Sequence, residues 1–178
     1  MYGRSKLEEV ANGLVHLPFV CVPAYYIFSG NSNSVFFICS LLTFAMSILY
    51  HFESNERVKK VFRRCDVASI FLLIPSTVFH LLPVWLGSFL LCLCIVLSVP
   101  VVKSETSVVF TDVALIIMAA ACTTLGCLFS SDWLILAIGT LIYALGLPFY
   151  FASYTKWAHF VWHIFVALGW STHAMLYL

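Results

Sequence analysis

The chain has 178 residues, of which 62% are hydrophobic and 10% charged, and its net charge is +1 at pH 7; its mean hydropathy is +1.02. Soluble domains carry about 25% charged residues, and a core of this size cannot bury so much apolar surface. Lipid must supply the rest of the solvent, and the near-zero charge gives no basis for binding nucleic acid or for a polybasic membrane arm.

A bilayer-crossing helix needs about 20 apolar residues, within a range of about 17–25. Seven stretches qualify, near 11–29, 34–52, 66–83, 86–102, 107–129, 132–152 and 157–178. The expected fold is all-α: an integral, multi-pass membrane protein, with residues 1–178 forming a single seven-transmembrane helix bundle. The opening MYGRSKLEEVANG lacks the layout of a cleaved signal peptide, so the first span serves as its own insertion signal. Glu9, Asn12 and His16 share one face of that span. They form either a polar stripe beside a site or simple caps and anchors, and the second reading is the plainer one.

The second span closes with SILYH, which sets Ser47 one helical turn before His51. Asp66 opens the third span. From Val67 to Val102 there is no Asp, Glu, Lys or Arg. The division there falls at LLPVWLGS, where Pro83 and Gly87 punctuate the helix. A six-span fold with this region re-entrant is the alternative. His80 belongs near the outer face without an obvious partner, and Asp112 lies near the inner end of the fifth span. His159 and His163 open the seventh. His173 is about 280° around that helix from His163 and roughly 15 Å farther along, which suits bundle packing better than metal binding. The seven cysteines are scattered without a Cys-x-x-Cys pair, and those inside apolar runs act as small hydrophobes.

Seven spans put all nine Lys and Arg residues on one side: Arg4 and Lys6, the cluster from Arg57 to Arg64, Lys103 and Lys156. The opposite connections, GNSNS, PVWLG and FSSD, hold none. The positive-inside rule makes the basic side cytoplasmic, so the expected orientation is N-in, C-out.

Ionisable groups within a membrane are expensive and tend to mark function. His51, Asp66, His159 and His163 all fall in one layer at the cytoplasmic face. His159 and His163, four apart, lie about 40° apart on a helix and one turn along it. That spacing lets two imidazoles bind one metal ion. His51 is the natural third ligand, and three protein ligands with an open position is the catalytic zinc pattern. Asp66 could hold a ring N–H or a water. Ser47 could bond the water or a substrate carbonyl. Each feature alone has a plainer account. Interfacial histidines anchor helices, a serine in an apolar helix bonds its own i−4 carbonyl, and Asp66 could pair with Arg63 or Arg64. Their shared layer favours the joint reading.

The residues resemble a known family. EEVANGLVH is similar to the opening Glu-x-x-Asn-x-x-x-His of the progestin and adipoQ receptor/haemolysin III family of seven-helix membrane proteins. SILYH resembles its Ser-x-x-x-His, RVKKVFRRCDVASIFLLI its basic loop and helix-three Asp, and HFVWHIFVALGWSTH its closing His-x-x-x-His helix. The wider superfamily includes alkaline ceramidases. PSTVFHL stands where many members carry a Gly-Thr-Tyr-Thr-Pro-like stretch, and the short chain, which carries no long N-terminal cytoplasmic arm, fits a compact haemolysin III-like or monocyte-to-macrophage-differentiation-like member better than the adiponectin-receptor branch. The resemblance implies Zn2+ held by His51, His159 and His163, with Asp66 nearby, and N-in, C-out topology.

The leading expectation is a zinc-dependent intramembrane hydrolase acting on a lipid amide of ceramide-like kind, with Asp66 and Ser47 as catalytic residues. The alternative is a membrane receptor or organising protein in which zinc is structural. A pore or transporter fits less well, because ionisable residues crowd one face instead of lining a route near the midplane. Membrane lipid and a lipid substrate or ligand are the expected partners. Lipid-facing pockets are built from Leu, Phe and Val, which occur throughout this chain, so composition does not identify the lipid. Oligomeric state and organelle stay open.

Overall fold

The computed structural model describes residues 4–30 and 34–177, and these form eight helices with no strand among them. The chain starts with α1 (Lys6–Leu14) and α2 (Pro18–Phe28). A capping box starts α1: Ser5 accepts from the Glu8 backbone N–H while the Glu8 carboxylate accepts from the Ser5 N–H. This satisfies amide groups that the first turn leaves open. The expected first span is therefore two helices, beginning earlier and interrupted at 15–17. Pro18 supplies the reason, since its ring suits the first position of a new helix but not the interior of an old one.

α3 (Ser34–Phe52) coincides with the expected second span. α4 (Glu56–Ser76) does not match its prediction. It begins ten residues before Asp66, because the Asn55 side chain accepts from the N–H groups of Arg57 and Val58 and so caps a helix through the basic stretch. The expected cytoplasmic loop is thus reduced to 53–55. A turn at 77–83 then separates α4 from α5 (Val84–Lys103). The division foreseen at LLPVWLGS is present, but Val84 to Gly87 already belong to α5. α6 (Val108–Phe129), α7 (Trp133–Phe151) and α8 (Ala158–Ala174) follow.

α1 packs on α3, α3 on α4, α4 on α6, α6 on α7, α7 on α8, and α8 on α1, so six helices close a ring. α2 lies against α3, and α5 against α4. Two apolar cores fill the bundle. One joins α4, α5 and α6 through Phe71, Leu90, Cys94, Met118 and Cys122. The other is aromatic, with Phe36, Phe37 and Phe44 of α3 against Trp170 in the last turns of α8 and Tyr177 just beyond its end. There the Trp170 indole N–H donates to the Ser40 hydroxyl at 2.8 Å. α7 and α8 approach closely, because a Cβ on Gly146 would lie 2.6 Å from the Phe165 Cβ.

Among the described residues, five stretches are long and apolar enough to cross a membrane: Lys6–Phe28, Val35–Phe52, Val84–Lys103, Val108–Phe129 and Trp133–Phe151. Large apolar side chains such as Trp85, Val96, Val109, Ile117 and Leu141 stand exposed on α5, α6 and α7. Outward-facing apolar residues of this size need lipid around them, as in a multi-pass membrane protein. α4 carries its charges in its first half, and α8 has 17 residues.

Candidate metal centre

The centre forms where the end of α3, the start of α8 and one face of α1 meet. His51 reaches in from the last turn of α3, and His159 and His163 from the first two turns of α8. One ligand atom of each lies within 4.8 Å of the other two, in a group whose burial would suit a metal ion. The Nε2 atoms of His51 and His163 are 3.0 Å apart. The His159 and His163 ring centroids are 4.4 Å apart.

The structure thus brings together the three histidines that the spacing singled out. It also shows what sets their register. Trp157 precedes α8 in the left-handed region, at φ 62°. Its N–H donates to the Glu8 carboxylate at 2.9 Å. The start of α8 is therefore held to α1, and its far end to α3 through Trp170 and Ser40.

The donor set fits a zinc-like cation. A tetrahedral site with Zn–N of about 2.0–2.1 Å separates ligand nitrogens by about 3.3 Å, a few tenths more than the observed Nε2 spacing. The Nδ1 atom of His159 is buried without a hydrogen-bond partner, an arrangement that costs about 1–3 kcal/mol unless something answers it. A cation among the rings would answer such an atom.

Asp66 and Ser47 sit beside each other, the serine hydroxyl interacting with the carboxylate. One turn along, Thr43 donates to the Ser69 carbonyl at 3.2 Å. The pairs 43/69 and 47/66 define an antiparallel register that puts Asp66 level with Ser47. Asp66 is thus one turn, about 6 Å, deeper than His51. It opens no helix, contrary to expectation, because α4 starts ten residues earlier.

The ring N–H of His51 is taken elsewhere. His51 Nδ1 lies 2.6 Å from a Glu9 carboxylate oxygen. The other Glu9 oxygen faces Lys59 at 3.4 Å and Arg4 at 3.7 Å. His16 Nε2 lies 2.7 Å from His163 Nδ1. Glu9 and His16, read from the sequence mainly as caps or anchors, are therefore joined to two of the three clustered histidines. Their shared helix face was visible in the sequence, but the neighbour it packs against was not.

The remaining candidates lie apart. His173 is buried, with Nε2 3.1 Å from the Leu136 carbonyl oxygen, tying α8 to α7 as bundle packing requires. His80 is exposed in the turn before α5, edge-on to Phe79. Asp112 accepts from the Tyr150 hydroxyl at 2.8 Å. All seven cysteines are free, and Cys39, Cys94 and Cys122 are buried. A cleft of about 700 Å³ opens at the centre's end of the bundle. Its lining includes Glu9, Tyr50, His51, Lys59, Arg63 and Ser153. No family model and no curated protein matches the chain.

Proposed function

We propose that this chain is a seven-span membrane protein of the progestin and adipoQ receptor/haemolysin III kind, oriented N-in and C-out, that holds zinc on His51, His159 and His163 and hydrolyses a lipid amide of ceramide-like type. The observation that carries the reading is the histidine cluster itself, with three ligand atoms within 4.8 Å of one another beside an open cleft lined by His51. α1 and α2 together make one span, and α3 to α8 make six more. This traversal gathers every Lys and Arg at the end of the bundle that holds the centre, which supports the orientation.

A zinc ion bound there would activate water and polarise an amide carbonyl. The chain's own residues do the rest. His51, His159 and His163 hold the ion. The Asp66 carboxylate, steadied by Ser47, takes the proton of the attacking water and later delivers it to the departing nitrogen. The Ser47 hydroxyl can also stabilise the carbonyl oxygen as charge builds on it. Water adds its oxygen to the carbonyl carbon, the C–N bond breaks, and a fatty acid and an amine leave. Acyl chains reach the site between helices whose outer faces are apolar.

The test is metal analysis of purified protein paired with lipid turnover. The wild-type chain is expected to retain about one zinc per chain and to release fatty acid from ceramide. The double variant His51→Ala/His163→Ala should do neither. Full zinc in that variant would refute the site, and equal turnover by both proteins would refute the mechanism.

One observation favours a second reading, in which the zinc is structural and the protein is a receptor or organiser. The ligands come from α3 and α8, which are joined at the far end by Trp170 and Ser40, so a cation would close the near end of the same pair. Zinc that stabilises the bundle while no lipid turns over would select this version.

A further inference from the structure

α1 meets the histidine cluster along one face. Helical residues advance about 100° each, so Glu8, Asn12 and Glu9 follow one another around α1 in that order, and His16 lies in the turn after Leu14, before α2. Glu8 reaches Trp157 at the start of α8, and His16 reaches His163 farther along it. At the other edge of the face, Glu9 reaches His51 on α3. Two of the three clustered imidazoles thus have a partner from the N-terminal segment on their Nδ1 side. Their Nε2 atoms, 3.0 Å apart, are turned toward each other.

We infer that Glu9 and His16 are positioning residues of the metal centre: the Glu9 carboxylate accepts the Nδ1–H of His51, His16 Nε2 accepts the Nδ1–H of His163, and both ligand rings are thereby held with an unprotonated Nε2 facing the ion. This rests on the reading of the cluster as a metal centre. A metal-binding imidazole offers one nitrogen to the ion and carries its proton on the other, and the partner of that proton fixes tautomer and ring angle.

The assignment extends one step outward. If His16 accepts at Nε2, its own proton is on Nδ1. That Nδ1 is buried without a partner, as are both polar atoms of the Asn12 carboxamide. Asn12 and His16 are each 1% exposed and are four residues apart in sequence. Asn12 carries an amide oxygen that could accept this proton directly or through one buried water. With that bond made, Asn12, His16 and His163 would form a line of hydrogen bonds ending at the ion. The Glu-x-x-Asn-x-x-x-His spacing becomes a single device, with Glu9 serving α3 while Asn12 and His16 serve α8.

A purely packing role is the competing account, since His16 also lies against Phe44 with ring centroids 5.1 Å apart. Zinc affinity separates the two. It is measured on the full-length chain in detergent, by competition between the protein and a chelator of known strength. Glu9→Ala and His16→Phe are expected to bind zinc about 10–100-fold more weakly than wild type. His16→Gln, whose amide oxygen can stand where Nε2 stands, should recover most of that loss. The metal-free thermal midpoints of Glu9→Ala and His16→Phe should fall, because each leaves a buried ring N–H without its acceptor, while those of Glu9→Gln and His16→Gln should stay near that of the wild type. Where Ala or Phe prevents folding, the near-isosteric Glu9→Gln should still show several-fold weaker zinc binding.

Wild-type affinity in Glu9→Ala and His16→Phe, or in Glu9→Gln where the former do not fold, would overturn the inference while leaving the metal centre in place. A loss in His16→Phe that His16→Gln does not relieve would also overturn it, in favour of packing. If wild-type protein binds zinc no better than His51→Ala/His163→Ala, the metal-centre reading fails and the inference falls with it.

Discussion

Trp170→Phe tests how α8, the helix that brings two of the three clustered histidines, is held in register. The indole is 3% exposed and its N–H donates to Ser40, which is fully buried. Rings of Phe19, Phe36 and Phe44 surround it at centroid distances of 5.4, 5.9 and 5.5 Å. Phenylalanine keeps the aromatic contacts but leaves a void of roughly 40 Å³, worth about 1 kcal/mol. The lost hydrogen bond adds about 1 kcal/mol. Ser40 keeps its own bond to the Phe36 carbonyl at 2.7 Å, so no donor is stranded. The expected destabilisation is about 2 kcal/mol. The site is seven residues away along α8, about 10 Å, so zinc affinity should fall by less than tenfold. Reversible unfolding in mixed micelles gives the stability, and a double-mutant cycle with Ser40→Ala isolates the pair. A coupling energy near 1 kcal/mol is expected. A coupling of zero would show that this contact does not set the register of α8.

Two further outcomes follow. Added zinc should raise the unfolding free energy of the chelated protein by about 2.7 kcal/mol at one hundred times its dissociation constant; His163→Ala should show no such rise, and an equal rise in both would place the bound metal elsewhere. Gly146→Val should cost about 1–3 kcal/mol by overpacking, since its new Cβ would meet the Phe165 Cβ at 2.6 Å; an unchanged denaturation midpoint would contradict the close approach of α7 and α8.

Helices bounded by a change from apolar to polar residues are legible in the amino-acid order alone. The runs at 34–52, 107–129 and 132–152 match α3, α6 and α7 to within about one residue, because helix length and hydropathy change together at those ends. That order also singles out His51, His159 and His163. The i, i+4 spacing of His159 and His163 is a local property, and the layer shared with His51 follows from counting apolar runs. The start of α4 is harder to see, because its charged residues resemble a loop, although Asn55 offers a capping signal just before Glu56. The break between α1 and α2 is masked by apolar residues that continue across it, and Pro18 is its one local sign.

Tertiary structure decided the rest. What Glu9 and His16 touch depends on what packs against α1, and residues 42 and 147 positions away supply those contacts. Likewise, the depth of Asp66 depends on the pairing of α4 with α3. A helix face can be read from a period of about 3.6 residues, but its partner is chosen by ring closure across the whole bundle, and no local pattern records that choice.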